Sequence, residues 1–158
     1  MYCSPKYEFG LFGSFYFFGV VISSMVFPAT SDKVGRRPVL IVGECMQLFG
    51  GIVLLLATSK DVAYVCHFVF GLAFGARVYV GYIFIMEFIP LSKAPIITTC
   101  LFAIDGLTLM VGSFYFMYLS KSWRFIYIVS VISAAVALAM VHALPESPKF
   151  LISTRQFD

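Results

Sequence analysis

Charge is scarce in this 158-residue sequence: Asp, Glu, Lys and Arg together make up 12% of it, where an ordinary soluble domain carries about 25%. With 61% hydrophobic residues and a mean hydropathy of +0.96, that scarcity excludes a soluble globular domain, whose exterior would have to be largely hydrocarbon. Basic runs interleaved with aromatics are lacking and the net charge is only +3, so nucleic acid is not an expected partner. Cysteine is sparse: Cys3, Cys45, Cys66 and Cys100 lie far apart, with no C-x-x-C pair and no His at metal spacing. All four read as reduced packing thiols, and neither a metal nor another cofactor is expected. No nucleophile–base constellation or phosphate-binding loop stands out, which argues against an enzyme. A basic leader followed by a small-residue cleavage site is missing, so no signal peptide is expected. Alternating segments of about ten residues, the mark of a membrane β-barrel, are missing as well.

What is present is aromatic and apolar. The 18 Phe and 9 Tyr suit lipid contact and the headgroup interface. Apolar stretches run over about 7–30, 38–57, 62–89, 96–119 and 123–144, each long enough to cross a hydrocarbon core of roughly 30 Å. The expected fold is therefore an all-α, multi-pass integral membrane protein of five transmembrane helices in contact with the lipid bilayer, ending in a tail over 145–158. Lys33, Arg36, Arg37, Lys93, Lys149 and Arg155 fall on one side, and Lys6, Lys60, Lys121 and Arg124 on the other. The first set is larger and denser, so that side is expected in the cytoplasm. Gly71 and Gly75 form a G-x-x-x-G step, and Gly10/Gly13 and Gly43/Gly50 offer further small faces, read as generic helix packing.

Three motifs carry more. The first loop holds Asp32, Lys33, Gly35, Arg36, Arg37 and Pro38; the third stretch ends in Glu87 and Pro90 with Lys93 beyond; Pro145, Glu146, Ser147, Pro148, Lys149, Phe150 and Leu151 follow the last. In this order they resemble the D-r-x-G-R-R loop, the E-x-x-P-x-x-x-R helix end and the P-E-S-P-R-W-L signature of major facilitator superfamily transporters. Trp123 and Arg124 resemble the W-R start of that family's sixth helix. The resemblance leans weakly toward the organic cation/anion branch over the sugar porters. Two positions depart from it: Pro28 stands where the family has Gly, and His67 where it often has Arg. The resemblance implies family helices two to six, a partial N-terminal bundle without its first helix. The second half is then expected from another chain or from a longer gene product. It also implies that Asp32, Gly35, Arg36, Arg37, Glu87, Lys93, Glu146 and Lys149 build a cytoplasmic charge network that latches one conformation. Short loops rich in Arg facing helix-end carboxylates can form such charge-assisted bonds in any case, and Gly35 suits a tight turn. Plain loop orientation and solubility is the alternative use of these charges.

Four ionisable residues fall inside the apolar stretches: Glu44, His67, Arg77 and Asp105. Such groups cost several kcal/mol at depth and are functional candidates by default. Arg77 and Asp105 both lie roughly 15 Å from the basic side at 1.5 Å per residue, on successive antiparallel helices, which predicts an Arg77–Asp105 ion pair. That pair serves either as a substrate or coupling group or as a neutralised structural contact. Thr98, Asp105, Thr108, Gly112 and Tyr115 share a helix face expected to look into a cavity or a neighbouring helix. His67 reads as a proton carrier or, more simply, a neutral interfacial ring, and Glu44 as a partner of the loop charges. The leading functional reading is a half-transporter fragment of a secondary carrier moving a small organic ion or sugar by alternating access. The alternative is a non-transporting structural subunit of a larger membrane complex, derived from a transporter. The resemblance suggests the plasma membrane, with an organellar membrane as the other option.

Overall fold

A computed structural model describes residues 6–147, 149, 150 and 152. Cys3, Pro148, Leu151 and Arg155, which the sequence reading used, lie outside the described residues. Five helices are long and apolar enough to cross a membrane, and no strand occurs among the described residues. They are α1 (Lys6–Val34), α2 (Arg36–Leu56), α3 (Lys60–Phe88), α4 (Ala94–Leu119) and α5 (Trp123–Ala143). Helix α1 continues through Ser31, Asp32 and Lys33 because hydropathy marks the lipid-soluble part of a helix, not its last hydrogen bond. Pro28 lies inside it.

The sharp link between α1 and α2 is a single residue. Gly35 has φ 111° and ψ 161°, a region essentially reserved for glycine where a Cβ costs about 1–3 kcal/mol, and its N–H donates to the Ser31 carbonyl at 3.1 Å. Helices α1 and α3 pack most closely. A Cβ added at Gly19 would strike the Phe68 carbonyl, one at Gly71 the Tyr16 carbonyl, and one at Gly75 the Ser23 hydroxyl. Backbone-to-backbone approach of this kind substitutes for a hydrophobic drive that lipid does not supply. Ser23, fully buried, donates across the interface to the Gly71 carbonyl at 3.1 Å. On α2, Gly43 faces Ala76 and Arg77, Gly50 faces Phe70 and Gly51 faces Val131. A Cβ added at Gly10 or Gly13 would meet nothing within 4 Å, so the small face expected there packs against no other helix among the described residues.

The bundle is layered. Near the basic end Val39, Leu40, Ala76, Val80 and Phe84 form one apolar cluster. Toward the far end Leu54, Ala63, Cys66 and Phe70 form another, joined by Phe12, Trp123 and Tyr127. A polar layer of Glu44, Gln47 and Arg77 lies between them in register along α2 and α3. Helix α3 makes a π-helical turn over Gly75–Val80, which carries Arg77. Cys66 packs inside, whereas Cys45 and Cys100 are exposed, so those two are not packing thiols within this chain. Helix α4 buries none of its residues. Tyr82 and Thr98 share a hydrogen bond of 3.0 Å between α3 and α4, and the Tyr115 ring stacks on Phe125 of α5 at 5.6 Å. At the far end Lys60 pairs with Glu8 at 2.7 Å, tying the starts of α3 and α1.

Candidate functional site

At the basic end three distant stretches meet. The Arg36 guanidinium lies 2.8 Å from Asp32 and 3.3 Å from Glu87, and donates to the Ser31 carbonyl at 3.0 Å. Arg36 and Glu87 are nearly enclosed, with side chains 11% and 7% exposed, while Asp32 is 66% exposed. The Arg36–Glu87 contact is therefore the consequential one, since an exposed pair such as Arg36–Asp32 contributes at most about 1 kcal/mol. Glu146 sits on the N-terminus of α2: one oxygen accepts from the backbone N–H of Arg36 at 3.0 Å, of Arg37 at 3.1 Å and of Ser147 at 3.0 Å. A carboxylate there satisfies orphan donors and meets the positive end of the helix dipole. Gly35 leaves the room, because a Cβ on it would stand 2.9 Å from that carboxylate. Arg37 turns the other way, donating to the carbonyls of Val141 at 3.3 Å and His142 at 2.5 Å, the last turn of α5. Buried Ser147 donates through its hydroxyl to Glu87.

Not every residue of the expected network takes part. Lys93 and Lys149 are exposed and make no ion pair among the described residues. Their long, well-hydrated side chains gain little by being held. Within Arg36 and Glu87, Nε of the former and Oε1 of the latter have no hydrogen-bond partner among the described residues; the 3.3 Å approach to Glu87 is an ion pair without hydrogen-bond alignment.

The intramembrane charges pair differently from the expectation. Arg77 Nε donates to Glu44 at 2.9 Å, not to Asp105. Depth along the helices was sufficient to place Arg77 and Asp105 at one level, but direction around the helix axis decides partners. Gly43 lets the Arg77 stem lie against α2, and α4 stands off from the bundle. Glu44, expected to join the loop charges, is held by Arg77 instead. Its second oxygen is buried without a hydrogen-bond partner among the described residues. Asp105 is exposed and shares with Arg77 a cleft of about 480 Å³ between α3 and α4, walled by Tyr79, Tyr82, Leu101 and Phe102. Arg77 also borders an inner cavity of about 250 Å³ with Tyr16, Gln47, Phe74 and Tyr127. It thus stands between two spaces at mid-depth. Gln47 reaches Ser130 on α5 at 3.4 Å.

His67 lies toward the far end, away from both charge groups. Its Nδ1 is 2.7 Å from the Ala63 carbonyl and its Nε2 is 3.4 Å from the Tyr127 hydroxyl, with Phe12 edge-on at 5.0 Å. Among the described residues no group of three or more His, Cys, Asp or Glu comes together to hold a metal ion. Sequence reasoning missed Ser23 and Gln47, and gave Ser147 a place in a motif but no role in the charge network. Gln47 had a signal, since it follows Glu44 by three residues and so shares its helix face; the Ser23 hydroxyl had none, because serine recurs throughout the chain.

Comparison with known proteins adds a second kind of observation. The profile of the family described as "Sugar (and other) transporter" matches residues 2–158. A solute carrier family 22 member 15-like protein of Xenopus laevis is 29% identical over 150 residues, covering 93% of this chain and 30% of that protein. Myo-inositol transporter 1A of Cryptococcus neoformans is 27% identical over 139 residues, covering 84% of the chain and 24% of the transporter. Solute carrier family 22 member 4 of Mus musculus is 26% identical over 159 residues, 98% of the chain and 28% of the relative. The chain spans less than a third of the length of these curated relatives.

Proposed function

Since this chain belongs to the sugar (and other) transporter family of major facilitator proteins, we propose that it supplies five helices to a secondary carrier of a small organic ion or sugar. Alternating access, in which two bundles rock about a midplane site, is the mechanism this reading assigns. A second bundle then has to face the side of the chain that carries Arg77 and Asp105. The observation that carries the proposal is the convergence of the α1–α2 link, the end of α3 and the segment after α5 on Arg36, Glu87 and Glu146. Such a cluster is a two-state element. It can be closed, with carboxylates on guanidinium and helix end, or opened by a modest separation of the helix ends. Its incompletely bonded Arg36 Nε and Glu87 Oε1 make the closed state less than maximally tight, as a reversible latch requires. Relatives named as solute carrier family 22 members and as a myo-inositol transporter support organic ions and polyols as the first solutes to try.

The test is accumulation of a panel of sugars, polyols, organic cations and organic anions. It uses proteoliposomes containing the chain with every subunit that copurifies from native membrane, under an imposed proton or sodium gradient. Uptake of at least one solute is expected, and Arg36→Ala is expected to lower it about tenfold, a typical coupling free energy between conformational states. The competing reading is a non-transporting structural subunit, and the unburied α4 favours it to the extent that such a helix requires a protein neighbour. Stoichiometric recovery in a larger membrane complex with no gradient-driven accumulation would decide for that reading and against transport.

A further inference from the structure

A third cavity, of about 350 Å³, opens at the far end among α1, α2, α3 and α5, away from the basic cluster and sharing only Tyr127 with the cavity that Arg77 borders. Phe12, Leu54, His67, Trp123 and Tyr127 line it, and exposed Thr58 of the α2–α3 link stands at its mouth. None of its lining residues is Asp, Glu, Lys or Arg, so a charged occupant would lose its hydration without compensation. The His67 Nδ1 lies 2.7 Å from the Ala63 carbonyl. A carbonyl only accepts, so Nδ1 carries a proton; of the two neutral tautomers this selects the one whose Nε2 is an acceptor. The hydroxyl of Tyr127 stands 3.4 Å from Nε2, long for a hydrogen bond from an O–H donor. A hydroxyl oxygen about 2.8 Å from each would complete a triangle, donating to His67 and accepting from Tyr127. Water could do the same at that point, but the other polar side chains of the lining, Thr58 and Ser59, belong to the α2–α3 link, so it would find few further partners there. An aromatic ring, by contrast, gains edge and face contacts with Phe12 and Trp123.

We propose that this cavity is a binding site for a small neutral phenol, its hydroxyl seated between His67 Nε2 and Tyr127 Oη and its ring between Phe12 and Trp123. The site is independent of the transport reading: it uses none of the residues invoked there. Access is through the far interface past Thr58, after partitioning of the phenol into the bilayer.

Trp123 is the single tryptophan of the chain and stands in the wall, so its fluorescence reports occupancy directly. The experiment titrates the full chain in lipid nanodiscs with p-cresol and with p-xylene, which replaces the hydroxyl by a methyl group, exciting at the red edge of the tryptophan band. A saturable change is expected with p-cresol, at concentrations about five- to tenfold lower than with p-xylene, the effect of one net hydrogen bond. His67→Phe is expected to erase that difference, and Tyr127→Phe to leave part of it. Thr58→Phe, which fills the mouth and touches neither polar group, is expected to abolish the saturable response and guards against a His67 variant that fails to fold. Equal, unsaturable responses to the two compounds would mean bilayer partitioning alone and would overturn the site. So would an undiminished preference for p-cresol in folded His67→Phe, or an unchanged response in Thr58→Phe.

Discussion

Single residues here act by occupying helix ends and by neutralising charge. Glu146 is the acceptor for the first two N–H groups of α2, so Glu146→Ala should lower stability by about 1–2 kcal/mol, as loss of a cap does. Glu146→Gln, which keeps an amide oxygen but not the charge, should cost less; chemical unfolding in mixed micelles ranks the two. Gly35→Ala meets both the positive φ and the Glu146 carboxylate, and should cost at least as much as the first variant. The Glu44–Arg77 pair is a different case. Glu44→Leu strands the Arg77 charge at mid-depth and should destabilise by about 3 kcal/mol, the low end for a broken buried pair, because Arg77 is 33% exposed. Adding Arg77→Met should restore most of that loss. A double-mutant cycle on unfolding midpoints reads the coupling, and strict additivity would show that the two groups do not interact.

At the scale of helices, backbone approach decides what holds. The α1–α3 contact rests on Gly19, Gly71, Gly75 and the buried Ser23. Gly71→Val inserts two methyl groups where no space exists even for a Cβ, and should destabilise by at least about 2 kcal/mol. Gly10→Val, on the partner helix α1 but facing open space, should stay within about 0.5 kcal/mol of the parent. Comparing the two by thermal unfolding in detergent separates close packing from a general cost of replacing glycine. Helix α4 is the opposite extreme: with nothing buried and a hydrogen bond from Tyr82 to Thr98 linking it to α3, it is set beside the bundle and the cleft containing Arg77 and Asp105 stays open.

For the molecule as a whole the two ends differ in chemistry. Arg36, Arg37, Glu87 and Glu146 assemble one end, and Lys60 with Glu8 marks the other. If the basic end is cytoplasmic, an impermeant amine reagent applied outside intact cells should modify Lys121 and leave Lys33 and Lys93 unmodified until the membrane is opened, as mass spectrometry of the labelled peptides would show. Labelling of Lys33 from outside would reverse the orientation.

Much of this was legible along the chain. Composition and segment length determine that five apolar helices cross a membrane, because a hydrocarbon core admits only segments of that length with every backbone group internally bonded. The spacing of Asp32, Gly35, Arg36, Glu87 and Glu146 pointed to a family, and the profile match over residues 2–158 shows it. The partners of individual charges were not legible. Arg77 and Asp105 share a depth, which is one coordinate; the azimuth that turns Arg77 to Glu44 comes from Gly43, from the π-helical turn over Gly75–Val80 and from the distance at which α4 stands. The same holds for His67 and Tyr127, 60 residues apart in sequence. Hydropathy is a property summed along a helix, whereas contacts between helices depend on rotation and tilt, and those are decided only when small residues let particular faces meet.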